Sequence, residues 1–152
     1  MSLDKCHLKN DIIIPALKEI GLHSESAVNL LMGTCAQESH MGKYTRQILG
    51  PAVGIYQMEP FTFNDLFERR KKYLVKANLD LSKRLTAERL VTDNKLATIM
   101  CRLKYLDAPE PLPDALDIEA LGQYWKKYYN SYLGKGKVSE FVKNYETFVQ
   151  MD

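Results

Sequence analysis

The sequence predicts a mainly α-helical fold, a helical bundle with a cleft and at most a small β ribbon, and three observations carry that reading. Apolar residues recur at helical spacing in most segments between turn signals. Residues suited to N-caps, such as Ser24, Asp93 and Asp117, stand at the starts of those segments. The one stretch that reads as extended, Gly54 to Met58, is too short for a helix before Pro60.

Taken in order, 8–20 is a first helix in which Pro15 marks either a kink or the true start, and Gly21 ends it. Ser24 caps a second helix with Glu25 in its first turn, and Gly42 is expected to close it. Residues 43–53 form a loop, and 54–58 an arm of a small ribbon. Pro60 opens a third helix with Phe63, Leu66 and Phe67 facing inward and Arg69 to Lys72 facing water. Thr86 and Asp93 cap two more helices, the second with a core stripe of Leu96, Ile99, Met100, Leu103 and Leu106. Pro109 to Pro113 is an interhelical loop. Asp117 caps a helix through Trp125 to Tyr129, and Gly134-Lys135-Gly136 separates it from a last amphipathic helix with Val138, Phe141, Val142, Tyr145 and Phe148.

A chain of 152 residues reads as one domain spanning 1–152, with no internal repeat. Size scaling from 17.5 kDa gives roughly 8,000 Å² exposed when folded against about 25,000 Å² unfolded, so a core can form without a disulfide or metal. The net charge of +2 makes no case for nucleic acid, and the basic run Arg69-Arg70-Lys71-Lys72 reads first as a solvated helix end that complements the dipole. Cys6, Cys35 and Cys101 are odd in number and far apart, which argues against a disulfide framework. Neither Cys6-His7 nor Cys35 with His40 has the spacing of a metal site, so structural thiols and no metal are expected. The first ten residues lack the apolar core of a signal peptide, and no run approaches a membrane span of about 20 residues. The expectation is synthesis in the cytoplasm, no stable membrane insertion and a monomer.

Glu38 is the leading candidate for chemistry. If 24–39 is helical, Ala27, Leu31, Thr34 or Cys35, and Glu38 share one face, so the carboxyl points where the apolar side chains point. Burial and the negative end of the helix both push its pKa upward, as a general acid requires. A helix-end glutamate on a solvated edge is the competing reading. Gln57 follows an apolar pair and offers an amide that both donates and accepts, suited to an acetamido group. Tyr44, Tyr56, Tyr124, Trp125, Tyr128, Tyr129 and Tyr132 are candidates for stacking on sugar rings, with Tyr124, Trp125 and Tyr128 favoured as core. Thr45 is a candidate for positioning water, and Glu59, Asp65 and Glu68 follow as further carboxylates without a distinguishing pattern.

The ordered motifs Glu38-Ser39, Gly54-Ile55-Tyr56-Gln57-Met58 with Pro60 behind it, and Tyr129-Asn130 resemble the soluble lytic transglycosylases of the lysozyme-like superfamily over about 27–145. Gly-x-Tyr-Gln also recurs in phage-type lysozymes. Tyr56 stands where that family often has Met, and Tyr128-Tyr129-Asn130-Ser131-Tyr132 replaces its Ala-Tyr-Asn-Ala-Gly.

The resemblance implies an α+β lysozyme-like fold. It implies cleavage of the β-1,4 bond between N-acetylmuramic acid and N-acetylglucosamine in peptidoglycan, with Glu38 as acid and then base and no cofactor. Ser39 would support the site, and Gly54, Gln57 and the backbone around Tyr56 would hold N-acetyl sugars. Tyr129 would bond to Glu38, and Asn130 would fix its loop. A second carboxylate is not required on this scheme, because the sugar's own 6-hydroxyl attacks. The partners expected are peptidoglycan glycan strands and no nucleic acid. The place of action expected is the bacterial cell wall, as for a phage endolysin or a tail-associated enzyme. Two other classes compete: a non-catalytic glycan-binding or structural protein of the same fold, and an interaction domain using Arg69 to Lys72.

Overall fold

The computed structural model describes residues 2–130 and 134–151. The readings placed on Ser131 and Tyr132 therefore lie outside the described residues. Helix α1 covers 5–19, α2 is Glu25–Ser39, α3 is Pro60–Arg69 and α4 is Lys71–Lys76. After a short 3₁₀ turn at Ala87–Val91 come α5, Asn94–Leu106, then α6 over 118–130 and α7 over 138–150. The fold is mainly helical, and among the described residues its extended part is confined to two isolated antiparallel bridges, Arg46 with Val53 and Val53 with Met58.

Local chemistry accounts for the element boundaries. Asp4 opens α1 by accepting from the His7 N–H at 2.9 Å. Pro15 lies inside α1 and breaks nothing, because the turns before it are wide. The Ile14 N–H reaches the carbonyl of Lys9, five residues back, along Leu8–Ile13, and ordinary α geometry resumes over Ile14–Glu19 with Pro15 in its first turn. Ser24, Asp93 and Asp117 each cap through the side chain, accepting from Ala27, Leu96 and Ala120 at 3.0, 2.9 and 3.0 Å. Thr86 caps nothing through its hydroxyl, since only the short 3₁₀ turn follows it.

Two expectations are corrected. Gly42 does not close α2: the helix ends at Ser39, and His40 itself takes the left-handed cap at φ 48°, followed by Met41 at 62° and Gly42 at 82°. The Met41 N–H bonds back to the Cys35 carbonyl at 3.2 Å, which fixes this tight exit. The basic run does not simply face water either. Arg69 and Arg70 both bond to Asp107, at 2.7 and 2.6 Å, Arg69 also holds Asp65, and Lys71 pairs with Glu68 at 2.9 Å.

Helix α2 is the axle of the molecule. It is buried on nearly every side from Ala27 to Ala36, not along one stripe, with α1, α5, α6 and α7 packed around it. The closest approach is at Gly33, where the ring of Phe141 from α7 occupies the space a Cβ would need. The core continues through Leu17, Ile20, Leu96, Ile99, Met100, Leu103, Leu121 and Trp125, all at most 1% exposed. The total exposed surface, 8295 Å², matches the size-scaling expectation. Among the described residues no helix is long and apolar enough to cross a membrane.

Candidate active-site cleft

A cleft of about 970 Å³ runs between the ribbon, α5 and the end of α6, and the carboxyl of Glu38 reaches it from the last turn of α2. The carboxyl is largely withdrawn from water. Burial raises its pKa from 4.5 to about 7, against the opposing pull of a hydrogen bond from Trp125 and the charge of Lys104. The indole Nε1–H of Trp125 donates to Glu38 Oε2 at 2.9 Å. Oε1 has no hydrogen-bond partner among the described residues, so the carboxyl is held by one oxygen and leaves the other for a ligand.

The segment 54–57 is docked to the end of α2 by Ser39. Its wholly buried hydroxyl donates to the Ile55 carbonyl at 2.6 Å and accepts from the Gly42 N–H at 2.7 Å. Ser39 therefore positions the ribbon and, being wholly buried, is not part of the cleft wall. Gly54 is required for two reasons: its φ is +86°, and a Cβ would come within 3.0 Å of the Leu90 carbonyl oxygen. The side chain of Tyr56 departs from the sugar-stacking expectation. It is 1% exposed and turned into the core beside the equally buried Ile55, with its hydroxyl on Thr98 Oγ1 at 2.8 Å. Gln57 does line the cleft. Its amide nitrogen is tied to the Gly54 carbonyl at 2.9 Å, and its amide oxygen has no partner among the described residues.

Tyr129 and Asn130 both line the cleft. The Tyr129 hydroxyl donates to the Tyr56 carbonyl at 2.7 Å, so the bond to Glu38 expected of Tyr129 is made by Trp125 instead. Asn130 accepts from Lys126 Nζ at 2.7 Å, and the same ammonium donates to the Gly134 carbonyl at 2.9 Å, which ties the far lip together. Tyr124 and Trp125 are core residues, Tyr128 is half-buried on the cleft wall, and Tyr44 is exposed against His40. Thr45 is bound into the ribbon through its carbonyl and is not part of the wall. Of the three further carboxylates, Glu59 lines the cleft, whereas Asp65 and Glu68 are engaged by Arg69 and Lys71. Cys35 and Cys101 are buried thiols, Cys35 pushed up to about 12 by burial, and Cys6 is exposed. No cluster of three or more His, Cys, Asp or Glu side chains suited to a metal occurs among the described residues.

Sequence reasoning missed Lys104. Its ammonium lies 4.0 Å from the centre of the Tyr129 ring, donates to the Tyr129 carbonyl at 2.9 Å and lines the cleft. Burial lowers its pKa, opposed by the nearby carboxylates of Glu38 and Glu59. A signal was present: Lys104 follows Met100 by four residues and so lies on the face of α5 that carries Met100, as Glu38 lies on an apolar face of α2. Ile48 and Leu49 were also missed. They stand exposed on the cleft lip at the tip of the ribbon, with Leu49 at φ 57°. Comparison of the chain with family models, curated proteins and solved structures finds no match, so function is argued from this geometry and from the motif resemblance.

Proposed function

We propose that the protein is a peptidoglycan glycosidase, a muramidase or lytic transglycosylase, that cleaves the β-1,4 bond between N-acetylmuramic acid and N-acetylglucosamine with Glu38 as general acid. The observation that carries this reading is the Glu38 carboxyl in the wall of a large open cleft, protonated up to about pH 7 by burial and pinned through one oxygen by Trp125. Breaking a glycosidic bond needs a proton on the departing oxygen, and a carboxyl poised near neutrality can both give and retake it. Because Oε2 accepts from the indole, the transferable proton belongs on Oε1. Lys104 stabilises the carboxylate left behind. Gln57 offers its free amide oxygen to the N–H of an acetamido group, and Tyr128 a half-buried ring to a sugar face. The motif order of the lytic transglycosylases supports the same substrate, and with it action at the bacterial wall in the manner of a phage endolysin or tail-associated enzyme.

The test is clearing of a wall suspension by wild type and by Glu38→Gln. A fall of about two to four orders of magnitude in rate with an unchanged circular-dichroism spectrum is expected, in line with general-acid contributions. Equal clearing by the two proteins would remove Glu38 from this role. Tight glycan binding by a wild type that clears nothing would favour a non-catalytic glycan-binding protein.

A further inference from the structure

We infer that Glu59 is the second carboxylate of the cleft and activates a water against the anomeric carbon, so that the glycan is hydrolysed with inversion; this rests on the glycosidase reading above. Glu59 shares the cleft wall with Glu38. Asp65 and Glu68, the other acids of that stretch, are bound to Arg69 and Lys71. The Glu59 carboxylate makes no hydrogen bond or ion pair among the described residues and does not cap α3, although it stands at the N-cap position. Pro60 locks the backbone beside it, so the side chain projects from a rigid base.

Lys104 links the two acids. Its charge is felt by Glu38 and it feels Glu59, yet among the described residues no carboxylate lies within 4.0 Å of it, so neither acid is captured in an ion pair. The pair is therefore unlike in setting: Glu38 is withdrawn and held by an indole, whereas Glu59 is exposed and reaches water freely. A carboxyl kept protonated by burial and a carboxylate open to water are the two settings that the acid and the water-activating base of an inverting hydrolysis need.

The step balances without a co-reactant. The bond from the anomeric carbon to the departing oxygen breaks, its electron pair stays on that oxygen, and the oxygen takes the proton of Glu38. Water oxygen bonds to the anomeric carbon and its proton passes to Glu59. The products are a free 4-hydroxyl and a hemiacetal of α configuration, and proton exchange with solvent resets both carboxyls.

The experiment is digestion of purified glycan strands in heavy-oxygen water, with the first-formed anomer read by NMR and products read by mass spectrometry, for wild type, Glu59→Ala and Glu59→Gln. The expected result is heavy oxygen at the anomeric carbon, the α anomer first, and a fall of about 10²–10⁴ in rate for both variants at unchanged melting temperature. Azide is expected to restore turnover of Glu59→Ala and to appear as a glycosyl azide, which a merely structural role of Glu59 would not produce. An anhydro product one water lighter, a β anomer formed first, or near wild-type rates in both variants overturns the role of Glu59 while leaving Glu38 in place. A wild type that cleaves no glycan overturns the glycosidase reading itself, and this inference with it.

Discussion

At the scale of single residues, the buried acid ties activity and stability to the same proton. Glu38 has a folded pKa of about 7 against an ordinary 4.5, so between those values the folded state holds a proton that the unfolded state has lost. The sign follows: this residue lowers stability as pH rises from about 4.5 to about 7, by an amount that reaches about 3 kcal/mol at alkaline pH. Glu38→Gln, which has no charge to bury, is expected to melt above wild type at pH 8 and to lose that advantage near pH 4.5, as differential scanning calorimetry at the two pH values would show. The catalytic counterpart is an alkaline limb in kcat/KM near pH 7. Lys104 lowers the Glu38 pKa, so Lys104→Met should move that limb to higher pH and Lys104→Arg should leave it nearly in place. An identical limb in wild type and Lys104→Met would disprove the coupling.

At the scale of elements, the exit of α2 and the turn it receives form one unit. The Ser39 hydroxyl is the shared tie between the Ile55 carbonyl and the Gly42 N–H, and removing it strands one buried and one part-buried backbone group. Ser39→Ala is expected to cost about 1–3 kcal/mol in urea denaturation and to weaken substrate binding as the ribbon loosens. Wild-type stability in this variant would refute the tie. The contrast between what local signals show and what they hide is clear here. Caps at Ser24, Asp93 and Asp117, the Pro60 start and the apolar face leading to Glu38 are set within a few residues, and each is visible in the sequence. The left-handed His40, the inward turn of Tyr56 and the placement of Lys104 under Tyr129 depend on how α2, the ribbon, α5 and α6 meet. Residue spacing along one element carries no register between elements. Pro15 is an intermediate case: its ring says that the helix must adjust, but only packing selects wide turns over a break.

At the scale of the whole molecule, the cleft is assembled from parts that are far apart in the chain: Glu38 from α2, Gln57 from the ribbon, Lys104 from α5 and Trp125 from α6. Its geometry therefore depends on the core behind it. Phe141 of α7 fills the space above Gly33 and packs against Trp125 with ring centres 5.5 Å apart. Phe141→Ala is expected to lose about 3–5 kcal/mol of stability through the cavity it leaves. It should also slow catalysis although Phe141 does not line the cleft, a pairing that denaturant titration and rate measurements on one preparation would check. The single tryptophan of the chain is the residue that grips the acid. The molecule thus carries its own optical gauge: the light it emits should change as position 38 gains or loses its proton, and should stop changing once that proton is engineered away, so an ordinary fluorimeter can watch the catalytic group without a label.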